Sequence, residues 1–222
     1  IDILCFQEYG GSGDFTNENL YETYSAFLPH TYLPQSHFMA IYSRYPILQS
    51  DVVEFENTNN CAIWADIDVE GTTLRVISVH MQTTSFDRMR SKAAQARAAA
   101  NEEGERQIYL NFTDNLESNM IERANQALMV EEIMKSTDHP TILCGDFNDT
   151  PGTYTYETLK GDMKDGFQTG GKGFAWTYRG LYNLLRIDYI FHSKELKGLE
   201  YESMDYEMSD HNPVMMTLCI EE

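Results

Sequence analysis

Short apolar, β-favouring runs separated by polar turns restrict the fold of this chain more than any other feature. Such runs, which predict strands, lie at residues 1–6, 36–42, 52–56, 61–69, 73–79, 141–144, 185–191 and 214–220. Helical patterns lie at residues 16–28, at 88–136 with a break expected near Gly104, and at 154–160. Because strands and helices do not alternate regularly, we do not expect a doubly wound parallel sheet. The sequence predicts mainly antiparallel sheets covered by helices.

One stretch, TILCGDFNDTP at residues 141–151, combines a predicted buried strand with a polar cluster at its end. Asp146 and Asn148 follow Gly145 and are two residues apart, so they share a side if the chain stays extended. Carboxylate and amide oxygens are the ligands of hard cations such as Mg²⁺. The alternative is an acidic turn after a strand, because Asp, Asn and Gly are the usual turn residues.

Polar residues also stand at the ends of other predicted strands. They are Glu8, His80, Asp188, Asp210 and His211. Mixed strand directions would bring them to one edge of the core together with Asp146. Four carboxylates in one place repel each other unless a cation neutralises them. Hard oxygen ligands favour Mg²⁺ or Mn²⁺ over zinc, and no HExxH motif or cysteine cluster argues for zinc. Two histidines beside such a metal suit proton transfer or contact with a developing oxyanion.

Each of these residues also has a purely structural interpretation. Glu8 alone is a solvated carboxylate and His80 a structural hydrogen-bonding group. Asp188 has Arg186 as a possible ion-pair partner nearby in the sequence. Residues 210–213 form a turn before the last strand in this interpretation. The conjunction of all of them favours a site.

The chain is strongly acidic, with 35 Asp and Glu against 16 Lys and Arg and a formal net charge of −19. Such a field repels phosphate backbones at long range, which disfavours a protein that grips duplex DNA. We therefore expect either a small substrate or a local cation that reverses the field at the site. The basic run at Arg88, Arg90, Lys92 and Arg97 is predicted to be a solvated helix face.

The sequence gives little indication of compartment. No apolar run approaches the ~18 residues of a membrane span, and no signal peptide is recognisable. The four cysteines, at positions 5, 61, 144 and 219, lack CxxC spacing and are expected to be mostly buried, reduced thiols. Because the chain opens on Ile1 in a segment with strand character, we expect the soluble domain of a longer protein.

At these residues the chain resembles the endonuclease/exonuclease/phosphatase superfamily, a DNase I-like group of nucleases, inositol polyphosphate 5-phosphatases and neutral sphingomyelinases. The matching pieces are Gln7-Glu8 and residues 40–46 (AIYSRYP), 79–81 (VHM), 145–148 (GDFN), 186–190 (RIDYI) and 209–213 (SDHNP). The resemblance implies one α/β catalytic domain over residues 1–222. Its fold would be a four-layer α-β-β-α sandwich of two mainly antiparallel sheets.

The resemblance also implies a metal centre and a way to activate water. Glu8, with help from Asp210, would hold the divalent metal, Mg²⁺ or Mn²⁺. Asp146 would orient or deprotonate the attacking water, with Asn148 positioning it. The reaction would be in-line attack of that water on phosphorus.

The same resemblance gives the remaining polar residues roles at the phosphate. His211 would contact the scissile phosphate and would be steered by Asp188, as a carboxylate–histidine pair. His80 would contact the phosphate or assist the leaving group.

Two features depart from the family pattern. The family usually has a first strand upstream of Gln7-Glu8 that carries an asparagine near the metal. The sequence from Ile1 onward contains no segment that matches this strand. We therefore expect an unpaired sheet edge and an incomplete metal site. Ser78 stands where the family often has asparagine, two residues before the histidine, and its hydroxyl is still able to hydrogen bond.

Two function hypotheses follow. The first is a metal-dependent phosphoesterase acting on a phosphate mono- or diester; the second is a catalytically silent binding or regulatory module on the same fold. Nucleic acid, nucleotide, phospholipid headgroup and inositol phosphate all stay open as substrates. Trp176, Tyr178 and Arg179 are candidate substrate contacts, although loop aromatics also pack internally. We expect a monomer.

Overall fold

The computed structural model describes residues 1–11, 13–84, 86–180 and 182–221. Its strands are β1 (Ile3–Gln7), β2 (His30–Tyr32), β3 (Met39–Ser43), β4 (Ile47–Glu54), β5 (Cys61–Val69), β6 (Thr72–His80), β7 (Thr141–Asp146), β8 (Lys164–Asp165), β9 (Asp188–His192), β10 (Leu196–Ser203) and β11 (Val214–Ile220). Its helices are α1 (Asn17–Ser25), α2 (Phe86–Ala98), α3 (Glu102–Lys135), α4 (Tyr154–Lys160) and α5 (Gly166–Gly170).

The largest sheet has six strands in the order β4-β5-β6-β7-β9-β8. Its neighbours pair antiparallel, except that β6 and β7 run parallel. The α2–α3 region makes the crossover between these two strands, as a parallel pair requires. The β5–β6 hairpin turns at Glu70 and Gly71, which both have positive φ and match a tight two-residue turn.

The two faces of this sheet bury different partners because side chains alternate along each strand. One face packs on α3 and α4 through residues such as Leu143, Phe191 and Val130. The other face packs on the three-stranded sheet β1-β3-β2 through Ile63, Ile41 and Met39. Apolar burial on both faces supplies the main stabilising free energy, about 25 cal/mol per Å² of apolar surface.

The remaining elements complete four layers. The β10–β11 pair packs on the second face of the large sheet, since Gly198 of β10 lies against the ring of His192. Helix α1 covers the outer side of β1-β3-β2, where Leu20 and Tyr24 pack with Tyr42. Thr16 caps this helix, as its hydroxyl accepts a hydrogen bond from the Asn19 amide. The predicted mixed α/β sandwich is confirmed, with its second β layer in two pieces.

Several element boundaries differ from the sequence prediction for identifiable reasons. The break in the long helical region lies at residues 99–101, and Gly104 falls in the first turn of α3, where Asn101 accepts a hydrogen bond from its amide. Met120 and Ile121 of α3 are exposed although they are apolar. Arg123 and Gln126 are buried instead, beside Ala127 and Val130.

Three strands, β2, β8 and β10, were not predicted. The first two are short, and β10 contains Gly198 and several charged residues, so none of them has a clear local pattern. All four cysteines are free thiols, but Cys219 is exposed rather than buried. Among the helices of the described residues, none combines the length and the apolar character needed to cross a bilayer.

Candidate active site

Strand register brings three of the predicted site residues into one row. The parallel pairing of β6 and β7 places His80 opposite Asp146, and the antiparallel pairing of β7 and β9 places Asp146 opposite Asp188. Gly145 is required just before this row, because it has a φ of 130° and a Cβ there would meet the Val79 carbonyl oxygen at 2.1 Å. The row lies where β6 and β7 end and β9 begins.

Asp146 and Asn148 form a closely bonded pair at the centre of the site. One Asp146 oxygen accepts from the Asn148 amide and the other accepts from the Asn148 side chain, both at 2.8 Å. The Asn148 side chain also donates to the Met81 carbonyl at 3.1 Å, and its φ of 50° is one that asparagine tolerates. Burial, reinforced by the charge of Asp188, raises the pKa of Asp146 well above its usual range. A cation bound beside this carboxylate would favour its ionised form.

His80 lies between Asp146 and Glu8. Its Nε2 is 3.7 Å from an Asp146 oxygen and 4.0 Å from a Glu8 oxygen. Burial lowers the pKa of the His80 imidazole, against the opposing effect of Glu8. Glu8 has a φ of 54° and an exposed carboxylate that has no hydrogen-bond donor among the described residues. This carboxylate is therefore free to bind a ligand.

Asp188 and His211 make the carboxylate–histidine pair that the resemblance implies. The Nδ1 of His211 lies 2.9 and 3.1 Å from the two Asp188 oxygens. Burial by itself lowers the pKa of His211, but the hydrogen bond and charge of Asp188, with further charge from Asp146, raise it to about 9. The imidazole is thus a cation at neutral pH in the metal-free protein.

The alternative ion pair between Asp188 and Arg186 is wrong. Both nitrogens at the end of Arg186 bind the buried Asp165 carboxylate, at 2.9 and 2.7 Å. The guanidinium also lies over the rings of Phe167 and Tyr189. Arg186 therefore supports the start of β9 from the core, and it leaves Asp188 to pair with His211.

Asp146, Asp188 and His211 form a group that is able to hold a metal ion. One ligand atom from each lies within 4.8 Å of the others, and both carboxylates are buried. Two buried carboxylates this close repel each other, and burial together with this repulsion raises the pKa of Asp146. The carboxylate oxygens of the group fit a hard divalent cation, so the residues present suit the metal that the family uses. Asp210 does not belong to this group: it is exposed, and its carbonyl accepts from the Arg179 amide at 2.8 Å.

The three predicted substrate contacts divide into two kinds. Trp176 is exposed and stacks on the still more exposed Phe174, with ring centroids 6.1 Å apart. Tyr178 is buried, and its ring lies 5.2 Å from the His211 ring. Arg179 binds the Asp205 carboxylate and, at 3.2 Å, the Asn212 side-chain oxygen. Tyr178 and Arg179 therefore contact the segment that carries His211, whereas Trp176 is exposed.

A cavity of about 280 Å³ opens beside Glu8 and His80. Phe38, Asn59 and Asn60 complete its lining with Gly10 and Met39. Asn60 also donates to the Met81 carbonyl at 2.7 Å, next to the bond from Asn148. This volume is near the lower end of small-ligand sites, so it suits a phosphate and part of its ester group.

Sequence reasoning missed several residues that position the site. The Thr177 hydroxyl accepts from the amides of Ile187 and Asp188, both at 3.0 Å, and the Thr177 carbonyl accepts from Asn212. A buried threonine in an irregular loop has no sequence signal of this role. Ser78 was noted as a departure, and its hydroxyl accepts a hydrogen bond from Gln7 at 2.8 Å.

Arg123 was also missed, although it had a detectable signal. It is a charged residue in line with Ala127 and Val130 on the apolar face of α3. A buried arginine on such a face requires buried polar partners. Its partners are Asp149, Gln82 and Thr84, which lie in the loops that follow β7 and β6.

Comparison with solved structures finds the same fold in several phosphoesterases. A mannosyl-6-phosphatase from Bacteroides thetaiotaomicron has a TM-score of 0.66 at 17% identity, covering 99% of this chain and 85% of that one. A humanized D. rerio TDP2 has a TM-score of 0.69 at 17% identity, with 98% and 85% covered. Sphingomyelinase C from Streptomyces griseocarneus has a TM-score of 0.58 at 15% identity, with 96% and 85% covered. At these low identities, the TM-scores show a shared fold alone.

A search of curated proteins finds no significant match. The model of one protein family matches nearly all of the chain, over residues 1–211. That span includes β1 to β10 and every residue of the row and the carboxylate–histidine pair. The chain belongs to the Endonuclease/Exonuclease/phosphatase family, whose members hydrolyse phosphate esters.

Proposed function

We propose that this chain is a divalent-metal-dependent phosphoesterase that hydrolyses a phosphate mono- or diester by in-line attack of water. The observation that carries the proposal is the row of His80, Asp146 and Asp188, joined to His211 by a 2.9 Å hydrogen bond. Asp146, whose pKa is raised, lies beside the neutral imidazole of His80 and close to the cationic imidazole of His211. Groups whose pKa values are pushed apart in this way suit acid–base chemistry.

The metal centre is the first part of the proposal. Glu8 offers an unbonded carboxylate next to His80, and Asp146 and Asp188 offer buried ones. Glu8 would hold Mg²⁺ or Mn²⁺ with help from these carboxylates, whereas Asp210 lies outside the group of Asp146, Asp188 and His211. When bound, the cation would neutralise the carboxylates and polarise a phosphate oxygen.

The protein's own groups would perform the remaining tasks. Asp146, with both oxygens fixed by Asn148, would accept a hydrogen bond from the attacking water and orient it toward phosphorus. The cationic His211 would donate a hydrogen bond to a nonbridging phosphate oxygen as charge develops there. Asp188 holds His211 by its Nδ1, which leaves Nε2 directed away from that bond. His80 would contact the phosphate or assist the leaving group.

Charge and surface both bear on the substrate class. A net charge of −19 disfavours a duplex nucleic acid, whose binding needs a basic groove. Trp176 and Phe174 are exposed two to four residues from Tyr178, which lies on the His211 ring. These features support a small phosphate ester, or one with an apolar part that contacts Trp176. Phospholipid headgroups, inositol phosphates and nucleotides meet that description.

The test is a panel of phosphomonoesters and diesters, lipid and nucleic, assayed with Mg²⁺, Mn²⁺ and Ca²⁺ separately after chelation. We expect turnover of at least one class that is abolished by EDTA and by Asp146→Ala or His211→Ala. His139→Ala is the matched control, because His139 is exposed on the loop before β7. Absence of turnover on every class at millimolar metal would refute the proposal.

The second candidate, a silent binding module, predicts a different result. Such a protein would bind a phosphate ester tightly without turning it over. The polar residues present at the site favour the enzyme, since a binding module has no need for a carboxylate–histidine pair of this geometry.

A further inference from the structure

Arg123 lies on α3, outside the row of site residues, yet its side chain reaches both loops that follow the site strands. It is 2% exposed. Its Nε donates to an Asp149 oxygen at 3.1 Å, in the loop after β7. Its Nη1 donates to the Gln82 carbonyl and to the Thr84 hydroxyl, both at 3.1 Å, in the loop after β6. One guanidinium thus joins the two loops.

Gln126 adds to this joint from the next turn of the same helix. Residues three apart share a helix face, so Arg123 and Gln126 point toward the same loop. The Gln126 side-chain oxygen accepts from the Gln82 amide at 2.9 Å. Both backbone groups of Gln82 are therefore held by side chains of α3.

The two loops are also bonded to each other next to the site residues. The Met81 amide donates to the Asp146 carbonyl at 3.0 Å, and the Met81 carbonyl accepts from the Asn148 side chain at 3.1 Å. The Thr84 hydroxyl lies 3.5 Å from the Asn148 carbonyl. Arg123 is therefore hydrogen-bonded to Thr84, Thr84 to Asn148, and Asp149, the residue after Asn148, back to Arg123. His80 and Asp146 directly precede the two loops that these bonds connect.

We propose that Arg123, assisted by Gln126, is a positioning residue that fixes His80 relative to the Asp146–Asn148 pair. The inference rests on the proposed phosphoesterase function for its catalytic consequence. A buried arginine–carboxylate pair is weak evidence for stability, because desolvation offsets much of its attraction. Here its geometry supplies what a hydrophobic replacement would not: a planar fork that binds two separate loops at once.

The structure provides a matched control in Arg75. It is buried on β6, pairs with Asp66 through two 2.8 Å bonds, and reaches Ser136 at the end of α3. It therefore has the same chemistry and also joins β6 to α3. It lies five residues before His80, about 17 Å along the strand at ~3.3 Å per residue. Arg75→Lys should affect stability without reaching the site.

The experiment compares Arg123→Lys and Arg75→Lys in the full chain, with a substrate found to be turned over by the wild type. A lysine has a single charged point and does not bind both loops. For Arg123→Lys we expect kcat per folded molecule to fall by about tenfold to a hundredfold, the scale of a misplaced catalytic group. We expect KM to change by less than about threefold, since the substrate contacts remain. Arg75→Lys should keep the wild-type kcat per folded molecule.

A second measurement does not depend on activity. Amide hydrogen exchange should become faster at residues 82–84 and 146–149 in Arg123→Lys, and should stay unchanged there in Arg75→Lys. Wild-type kcat and wild-type exchange at both loops in folded Arg123→Lys would overturn the positioning role. If the wild type turns over no ester, the proposed function fails, and the exchange result alone decides the role of Arg123.

A milder variant covers the case in which Arg123→Lys does not fold. Gln126→Met removes only the bond to the Gln82 amide and keeps the side-chain volume. We expect it to fold, to lose about twofold to tenfold in kcat, and to exchange faster at residue 82. Unchanged kcat and unchanged exchange in this variant would also overturn the inference.

Discussion

Replacing Asp188 by asparagine should remove the positive charge from His211 at neutral pH. In the folded protein the Asp188 hydrogen bond and charge raise the pKa of His211 to about 9, although burial opposes them. The variant keeps the size of the side chain but removes its charge, so burial is left as the main influence. The pKa of His211 in Asp188→Asn should therefore fall to 6.5 or below, the ordinary value being about 6.5.

The expected loss of activity follows from the protonated fraction. At pH 7.5 a group with a pKa of about 9 is about 97% charged, and a group with a pKa of about 6.5 is about 9% charged. If the cationic His211 serves the reaction, ionisation alone predicts about a tenfold lower rate at that pH. The alkaline limb of the rate profile should move from near pH 9 to below pH 6.5.

The same pair predicts how stability depends on pH. The folded-state pKa of His211 is raised, so the pair's contribution is complete below about pH 6.5 and is lost as pH rises through about 9. The shift corresponds to about 3 kcal/mol. Because 28% of the His211 side chain is exposed, solvent screening reduces this to about 2 kcal/mol.

Two measurements on metal-free protein check this directly. Imidazole NMR titration should place the His211 transition near pH 9 in the wild type and below 6.5 in Asp188→Asn. In urea unfolding, the free energy of unfolding should differ more between pH 6 and pH 9.5 for the wild type than for Asp188→Asn. Asp138→Asn, on an exposed loop, is the charge-matched control. A wild-type His211 that titrates near its ordinary value would refute the reasoning.

Three further predictions follow from single contacts. Asp146→Asn should abolish turnover yet stabilise the metal-free protein, because it removes a buried carboxylate whose pKa is raised; chemical denaturation without metal checks this, and a less stable variant contradicts it. Thr177→Val removes the hydroxyl that accepts from the Asp188 amide, so kcat should fall about tenfold; steady-state kinetics with an unchanged kcat would count against it. Trp176→Ala should raise KM for esters with an apolar group and leave kcat unchanged, because Trp176 is exposed and outside the row; equal KM values for the variant and wild type would remove Trp176 from the substrate contacts.

The parts of the fold that sequence reasoning predicted well are those with strong local patterns. Strands β5 and β11 and helix α4 have the predicted ends, because apolar runs and turn residues define them. Strand β10 was missed, since Gly198 and its charged neighbours give no such pattern and only pairing with β11 makes it a strand. The helix break was misplaced because glycine is acceptable in the first turn of α3, where Asn101 caps it.

The candidate site divides in the same way. Its central residues were predictable because Asp146, Asp188 and His211 lie in short motifs beside strands, and strand register then brings them together. Their supports were not predictable, because Thr177 and Arg123 act through contacts between distant parts of the chain. The partners of Arg179, Asp205 and Asn212, were not predictable for the same reason, because they are far from it in sequence.

The central claim is that these strand ends form one metal-binding phosphate site. Anomalous diffraction from crystals grown with Mn²⁺ and inorganic phosphate tests it most directly. We predict one strong manganese peak in contact with the Glu8 carboxylate, beside Asp146, with the phosphate within hydrogen-bonding distance of His80 and His211. A manganese peak bound elsewhere on the molecule, or none at millimolar Mn²⁺, would contradict the account.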